Sequence, residues 1–178
     1  MESIPVLIKE GGILPLSLDK GNSVNNPENM EINVYTGNGN YELYEDGAVE
    51  SKDGVHFTNF ESKSVVCGDK VKQILKISTK GDCSVIPSKR KFAVRFKDIF
   101  DGEVALYIND KLVGAEEVLT NCVALDIQVE PNNEYKVEVV YNKQTQMEEL
   151  MEYAKKVLIF ARAGTKPKEA LLNQLYKA

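Results

Sequence analysis

Tryptophan is absent from this 178-residue chain, histidine occurs once, as His56, and there are three cysteines. Each shortage removes a class of chemistry. Most hydrolytic triads and most zinc sites need at least one imidazole and often several, so multi-histidine metal chemistry is excluded. Cys67, Cys83 and Cys122 form no C-x-x-C pair, which rules out a zinc ribbon and a thioredoxin-like redox motif. Their odd number argues against a secreted disulfide scaffold and for buried, reduced thiols. Long apolar runs are missing too. The longest, Val157–Ala161, falls far short of the roughly 18 residues that a membrane helix needs. Met1–Glu10 carries neither the basic start nor the small-residue cleavage site of an export signal. A cytoplasmic location without a membrane partner is the expectation.

Positive charge is also in short supply, with 22 Lys and Arg against 27 Asp and Glu, a net charge of -5. Phosphate binding relies on an excess of clustered cations, so nucleic acid is not an expected partner. The imbalance is uneven: residues 143–178 carry +3 and residues 1–142 carry -8. An acidic body is followed by a mildly basic tail. Against the soft prior of about 150 residues per domain, the length fits one domain with an appendage. With 43% hydrophobic and 28% charged residues, the composition is that of an ordinary globular chain able to bury a core.

From Ile4 to Tyr141 the apolar period is two, which signals strands with one buried face. Phe92, Val94 and Phe96 alternate with Ala93 and Arg95; Val123, Leu125, Ile127 and Val129 form a second run, and Tyr135, Val137 and Val139 a third. Turn formers separate the runs, among them Asp53-Gly54, Gly68-Asp69, Lys80-Gly81-Asp82, Asn109-Asp110 and Pro131-Asn132-Asn133. Short connections between strands favour antiparallel pairing. The pattern predicts a mainly β fold, an antiparallel β-sandwich. Glu31–Glu45, with Ile32 and Val34 on one side of Gly37-Asn38-Gly39 and Tyr41 and Leu43 on the other, predicts a hairpin.

At Gln144 the period changes. Met147, Leu150, Met151, Ala154, Val157, Leu158 and Ala161 recur at the spacing of one helix face. Gly164 stops that helix, Thr165 can cap a second, Pro167 fits its first turn, and Ala170, Leu171, Leu172 and Leu175 extend an apolar stripe. A C-terminal α-helical hairpin follows, packed on the sandwich, on another protein or on a second copy of the chain. Its second helix offers Lys166, Lys168 and Lys177 and no arginine, which argues against a nucleic-acid reader.

Three ordered blocks at the amino end carry a resemblance. They are Ile4-Pro5-Val6-Leu7-Ile8-Lys9-Glu10-Gly11-Gly12-Ile13-Leu14-Pro15-Leu16, then Asn26-Pro27-Glu28-Asn29-Met30-Glu31-Ile32-Asn33-Val34-Tyr35, then Tyr41-Glu42-Leu43-Tyr44-Glu45-Asp46-Gly47. Together they resemble the region that follows the catalytic barrel in glycoside hydrolase family 31, the α-glucosidases and α-xylosidases. A glycine turn at Gly81-Asp82-Cys83 and Arg90 ahead of the Lys91–Phe96 strand are similar to that family's distal β-sandwich. The resemblance covers residues 4–100 well and 101–141 only as strand pattern. There are two departures: Glu45-Asp46-Gly47 has one aspartate where the family usually doubles it, and the tail from Gln144 lies outside the pattern.

The resemblance implies that residues 1–18 end a proximal β-domain, 19–29 form a connector, 30–142 form the distal β-sandwich and 143–178 are an added helical tail. It also implies a non-catalytic accessory module, because the family's two catalytic aspartates lie on a preceding (β/α)8 barrel outside these blocks. That barrel, in the same or a neighbouring chain, is the expected partner. No catalytic, metal-binding or cofactor-binding residue is assigned. Gly11-Gly12 reads as a close backbone approach or a positive φ, Pro15 as the end of pairing on its strand, and Gly47 as a turn. The alternatives are an interaction module working through the tail and a carbohydrate-binding module. Sugar binding uses aromatic platforms beside polar groups, and its candidates are Tyr35, Tyr41, Tyr44 and Phe57, with the neighbouring His56, expected to be half-exposed, as a further α-glucan contact.

Overall fold

The computed structural model describes residues 8–20, 26–47, 54–99, 102–118, 122–160 and 165–175. Among the described residues, ten strands and two α-helices, with a 3-10 turn at Cys83–Val85, follow in order: β1 (Ile13–Ser17), β2 (Asn29–Tyr35), β3 (Gly39–Asp46), β4 (Val55–Cys67), β5 (Lys70–Gly81), β6 (Arg90–Lys97), β7 (Gly102–Ile108), β8 (Lys111–Val118), β9 (Cys122–Val129), β10 (Tyr135–Asn142), α1 (Lys143–Phe160) and α2 (Thr165–Leu175). The strands form a four-stranded sheet, β1-β2-β6-β9, and a six-stranded sheet, β3-β4-β5-β10-β7-β8. All pairs are antiparallel except β2 with β6. The mainly β fold with its antiparallel-rich sandwich and terminal helices matches the expectation.

The core lies between the sheets. Ile32, Val34, Phe92, Val94 and Phe96 face it from the small sheet, and Phe60, Leu75, Ile77, Val137 and Val139 from the large one. Phe60 and Phe92 meet across the interface with ring centroids 5.9 Å apart. Each fully buried side chain of this size contributes about 1.5–3 kcal/mol, and period-two alternation puts one on every second position. Tyr141, at the margin of the core, has its phenol pKa pushed up to about 12 by burial.

Two turns form as their sequences predict. β4 and β5 join through Gly68-Asp69, with Gly68 at φ 62°, and β7 and β8 through Asn109-Asp110, with φ 47° and 65°. Consecutive left-handed residues are the signature of the hairpin turn whose twist suits paired strands.

The predicted Glu31–Glu45 hairpin does not form. β2 and β3 lie in different sheets: β2 pairs with β1 and β6, and β3 with β4. The Gly37-Asn38-Gly39 loop is therefore an arch that carries the chain across the core. Its other side packs on Gly11, at φ 72°, where a methyl group would collide with the Asn38 carbonyl; the Gly11 N–H donates to Thr36 O at 2.8 Å and the Tyr35 N–H to Gly12 O at 2.9 Å. Pairing of β1 with β2 runs through Pro15 to Ser17, so Pro15 does not end it. An edge strand needs donors on one side only, which makes proline tolerable there. β1 and β2 are thus neighbours in one sheet, and the Asp19 carboxylate after β1 accepts from the N–H of Glu28 at 2.7 Å and the side-chain amide of Asn29 at 2.8 Å.

The helix α1 begins directly after β10, and the Lys143 N–H donates to Asp69 O at 2.8 Å. α1 touches β10 and α2. Met151, Ala154 and Leu158 are half-buried, whereas Val157, expected on the apolar stripe, is 50% exposed. Residues 161–164, including the expected Gly164 stop, lie outside the described residues. No helix among the described residues is long and apolar enough to cross a membrane. The three thiols form no disulfide among the described residues and are not buried as expected: Cys67 is exposed beside the β4–β5 turn, and Cys83 and Cys122 are half-buried.

Candidate functional site

The five aromatic positions picked from the sequence fall in three environments. Tyr35 is half-buried on β2, in the small sheet. On β3 and β4, the register Tyr41↔Phe60, Leu43↔Thr58 and Glu45↔His56 defines the inward face. Tyr41 thus shares the face of Phe60 at the free edge of the large sheet, while His56 is fully buried, not half-exposed. Tyr44 and Phe57 alone meet, on the outward face, with centroids 5.6 Å apart and planes at 71°.

The inward face holds a charged cluster where β3 ends and β4 and β6 begin. Arg90 and Glu45 form a two-pronged ion pair, Nη1 to Oε2 and Nη2 to Oε1, each 2.8 Å. Both side chains are buried. Arg90 Nε also donates to Pro27 O at 3.1 Å, its guanidinium lies 5.3 Å from the Phe92 ring centroid, and the Thr58 hydroxyl donates to Glu45 Oε2 at 3.3 Å. Buried ions persist only when paired and hydrogen-bonded in this way. His56 lies beside them, and neither of its ring nitrogens has a hydrogen-bond partner among the described residues. Burial pushes its pKa below the ordinary 6.5, and Arg90 adds to that, against the opposing charges of Glu45 and Asp82. Nearby, the Asn26 side-chain amide donates to Asp46 O at 2.9 Å and Val85 O at 2.8 Å. The acidic turn at Glu45-Asp46-Gly47 is therefore a joint between sheets.

A second buried cluster, without charge, fixes the arch. The Gln73 amide donates to Gly37 O at 2.8 Å and to the Ser62 hydroxyl at 2.6 Å, and accepts from the Gly37 N–H at 3.0 Å. Sequence reasoning missed Glu45–Arg90, Gln73 and Ser62 as partners, since each contact links separate strands.

The outward face of the large sheet is open and polar. Strand register aligns three rungs across β3, β4 and β5: Tyr44, Phe57 and Lys80; Glu42, Asn59 and Ser78; Asn40, Glu61 and Lys76, with Lys136 of β10 beside Lys76. In the first rung Lys80 Nζ sits 5.0 Å from the Phe57 centroid and 2.7 Å from Glu42 Oε2. The lower rungs border two clefts of about 420 and 460 Å³, which share Asn59 and Glu61. Lys136, tied to Asp110 at 2.7 Å and Glu138 at 3.1 Å, closes one side; its Asp110 hydrogen bond raises its pKa. No group of three or more His, Cys, Asp or Glu able to hold a metal occurs among the described residues. Comparison with family models and with curated proteins finds no match to the chain.

Proposed function

We propose that the chain is a non-catalytic accessory β-sandwich module of a glycoside hydrolase of the family 31, α-glucosidase type, serving a (β/α)8 barrel in the same or a neighbouring chain. The observation that carries this reading is the use made of the sequence blocks behind the resemblance. Gly11-Gly12 of the first block docks on the Thr36–Gly39 arch that follows the second. Glu45 of the third block is consumed by the Arg90 that precedes the distal strand. A carboxylate locked to a buried guanidinium is not placed as a general acid or base, which needs reach to a substrate proton. The blocks act as joints, so what they carry from one protein to another is an architecture.

Assay of the purified chain with chromogenic α-glucosides and α-xylosides tests the first half of the reading. No turnover is expected, and turnover abolished by changing particular Asp or Glu residues would overturn it. For the second half, the chain is co-expressed with a family 31 barrel cut before its own C-terminal β-domains. Co-purification and a higher melting temperature of the barrel are expected; a barrel indifferent to the chain overturns the partnership.

A further inference from the structure

The three rungs on the outward face of β3, β4 and β5 differ from an ordinary solvated sheet face in two respects. The first is that their polar groups are left open: the side chains of Asn40, Asn59, Glu61, Lys76 and Ser78 have no hydrogen bond or ion pair among the described residues. Amide, hydroxyl, carboxylate and ammonium groups in one groove can donate to and accept from alcohols in every combination. The second is that the adjoining rung ends in a fixed ring. Tyr44 is 56% exposed yet braced edge-on by Phe57, which Lys80 covers while paired to Glu42. A braced aromatic loses little freedom on binding, and such preorganisation favours affinity.

Charge narrows the ligand class. Glu42 and Glu61 balance Lys76 and Lys80 across the rungs, so the groove offers no surplus cation field for a phosphate polymer. An apolar plate followed by an open row of mixed donors and acceptors suits a ligand with apolar ring faces and many neutral hydroxyl groups. We infer that the outward face of β3, β4 and β5 binds a neutral oligosaccharide, stacking one ring on Tyr44 and holding the hydroxyls of the next in the Asn59–Glu61–Lys76 groove. This deepens the accessory reading and rests on it only for the choice of α-glucan as the first probe. Asn59 and Glu61 line both clefts, so the same polar pair can meet successive sugars of an extended chain.

The test is a titration of the isotope-labelled full chain with maltotriose, isomaltotriose and soluble α-glucan, followed by amide chemical shifts. Expected are shifts confined to the outward residues of β3, β4, β5 and β10, and affinity about tenfold weaker in Tyr44→Ala, from the ring area no longer buried, and also reduced in Asn59→Ala. Both variants should melt like the parent, and Gln128→Ala on the outward face of β9 should bind as the parent does. Absence of shifts at millimolar sugar, shifts centred elsewhere, or full affinity in Tyr44→Ala overturns the inference. Those outcomes leave the accessory reading intact, whereas glucoside turnover by the chain overturns that reading and not the binding face.

Discussion

Two buried polar clusters share the inward face of β4, and they solve one problem by opposite means. Near the arch, Gln73 of β5 and Ser62 of β4 hold the Gly37 peptide with neutral hydrogen bonds. Near the ends of β3 and β5, Arg90 and Glu45 join the sheets by charge, and His56 is buried beside them with both ring nitrogens unbonded among the described residues. The neutral cluster satisfies its members and has nothing to titrate. The charged one is stronger pairwise, but it depends on both partners and places a titratable ring in a dry setting. Buried polar groups hold a specific cross-sheet geometry in both places; only the charged cluster makes that geometry sensitive to pH.

Arg90→Met is the largest test of the contrast. It leaves the Glu45 carboxylate buried without its partner, at a cost of roughly 3–5 kcal/mol, measured by chemical denaturation. The double variant Glu45→Leu/Arg90→Met should recover most of that loss, because apolar replacement of both partners removes the uncompensated charge. A single variant as stable as the parent would show that the pair carries no such burden. Gln73→Leu comes next. It strands the buried N–H of Gly37 and leaves its C=O with the Ser62 hydroxyl alone, at roughly 1–3 kcal/mol, and the loss should be the same at pH 5 and pH 8.

A smaller effect belongs to His56. Its folded pKa lies below the ordinary 6.5, so as pH falls the unfolded chain takes the proton first. Stability should be whole above about 6.5 and decline below it, with a slope of at most about 1.4 kcal/mol per pH unit from this group. The slope should diminish in His56→Phe, read from denaturation midpoints between pH 7.5 and 5; an unchanged slope removes His56 as its source. The smallest effect is Tyr44→Ala, where an exposed ring leaves no core: within about 0.5 kcal/mol of the parent. A larger loss would move Tyr44 from the binding face to the framework.

Much of the fold is legible along the chain. Phe92, Val94 and Phe96, and Val137 and Val139, face the core as their alternation indicates, because the pleat turns every second side chain to one face. Gly68-Asp69 and Asn109-Asp110 form the turns their backbone freedom suits. The Gly37 loop misleads since two alternating runs around a glycine turn look the same whether they pair or part. The second partner of β2, beside β1, is β6, reached only after β3, β4 and β5 have been laid in the other sheet. His56 misleads for a related reason. The inward face of β4 reads His56, Thr58, Phe60, Ser62, and the outward face begins with Val55 and Phe57, so hydrophobicity alone does not say which face is in.

Of the candidate site, Tyr44 and Phe57 were legible as aromatic candidates, but their meeting was not, since it is set by the pairing of β3 with β4. Asn59, Glu61, Lys76 and Ser78 were not, since isolated polar residues on an outward face carry no signal until register sets them side by side.

The sequence by itself determined the class of the fold, the change from strand to helix at the tail, and the exclusion of multi-histidine metal chemistry, all of which follow from composition and from periods of a few residues. Only the tertiary structure decided which sheet each strand joins, that Glu45 is answered by Arg90 45 residues away, that His56 is dry, and which polar groups remain open on the outer face. Those are facts of pairing between distant segments, where burial and charge are set by neighbours the chain does not bring close until it folds.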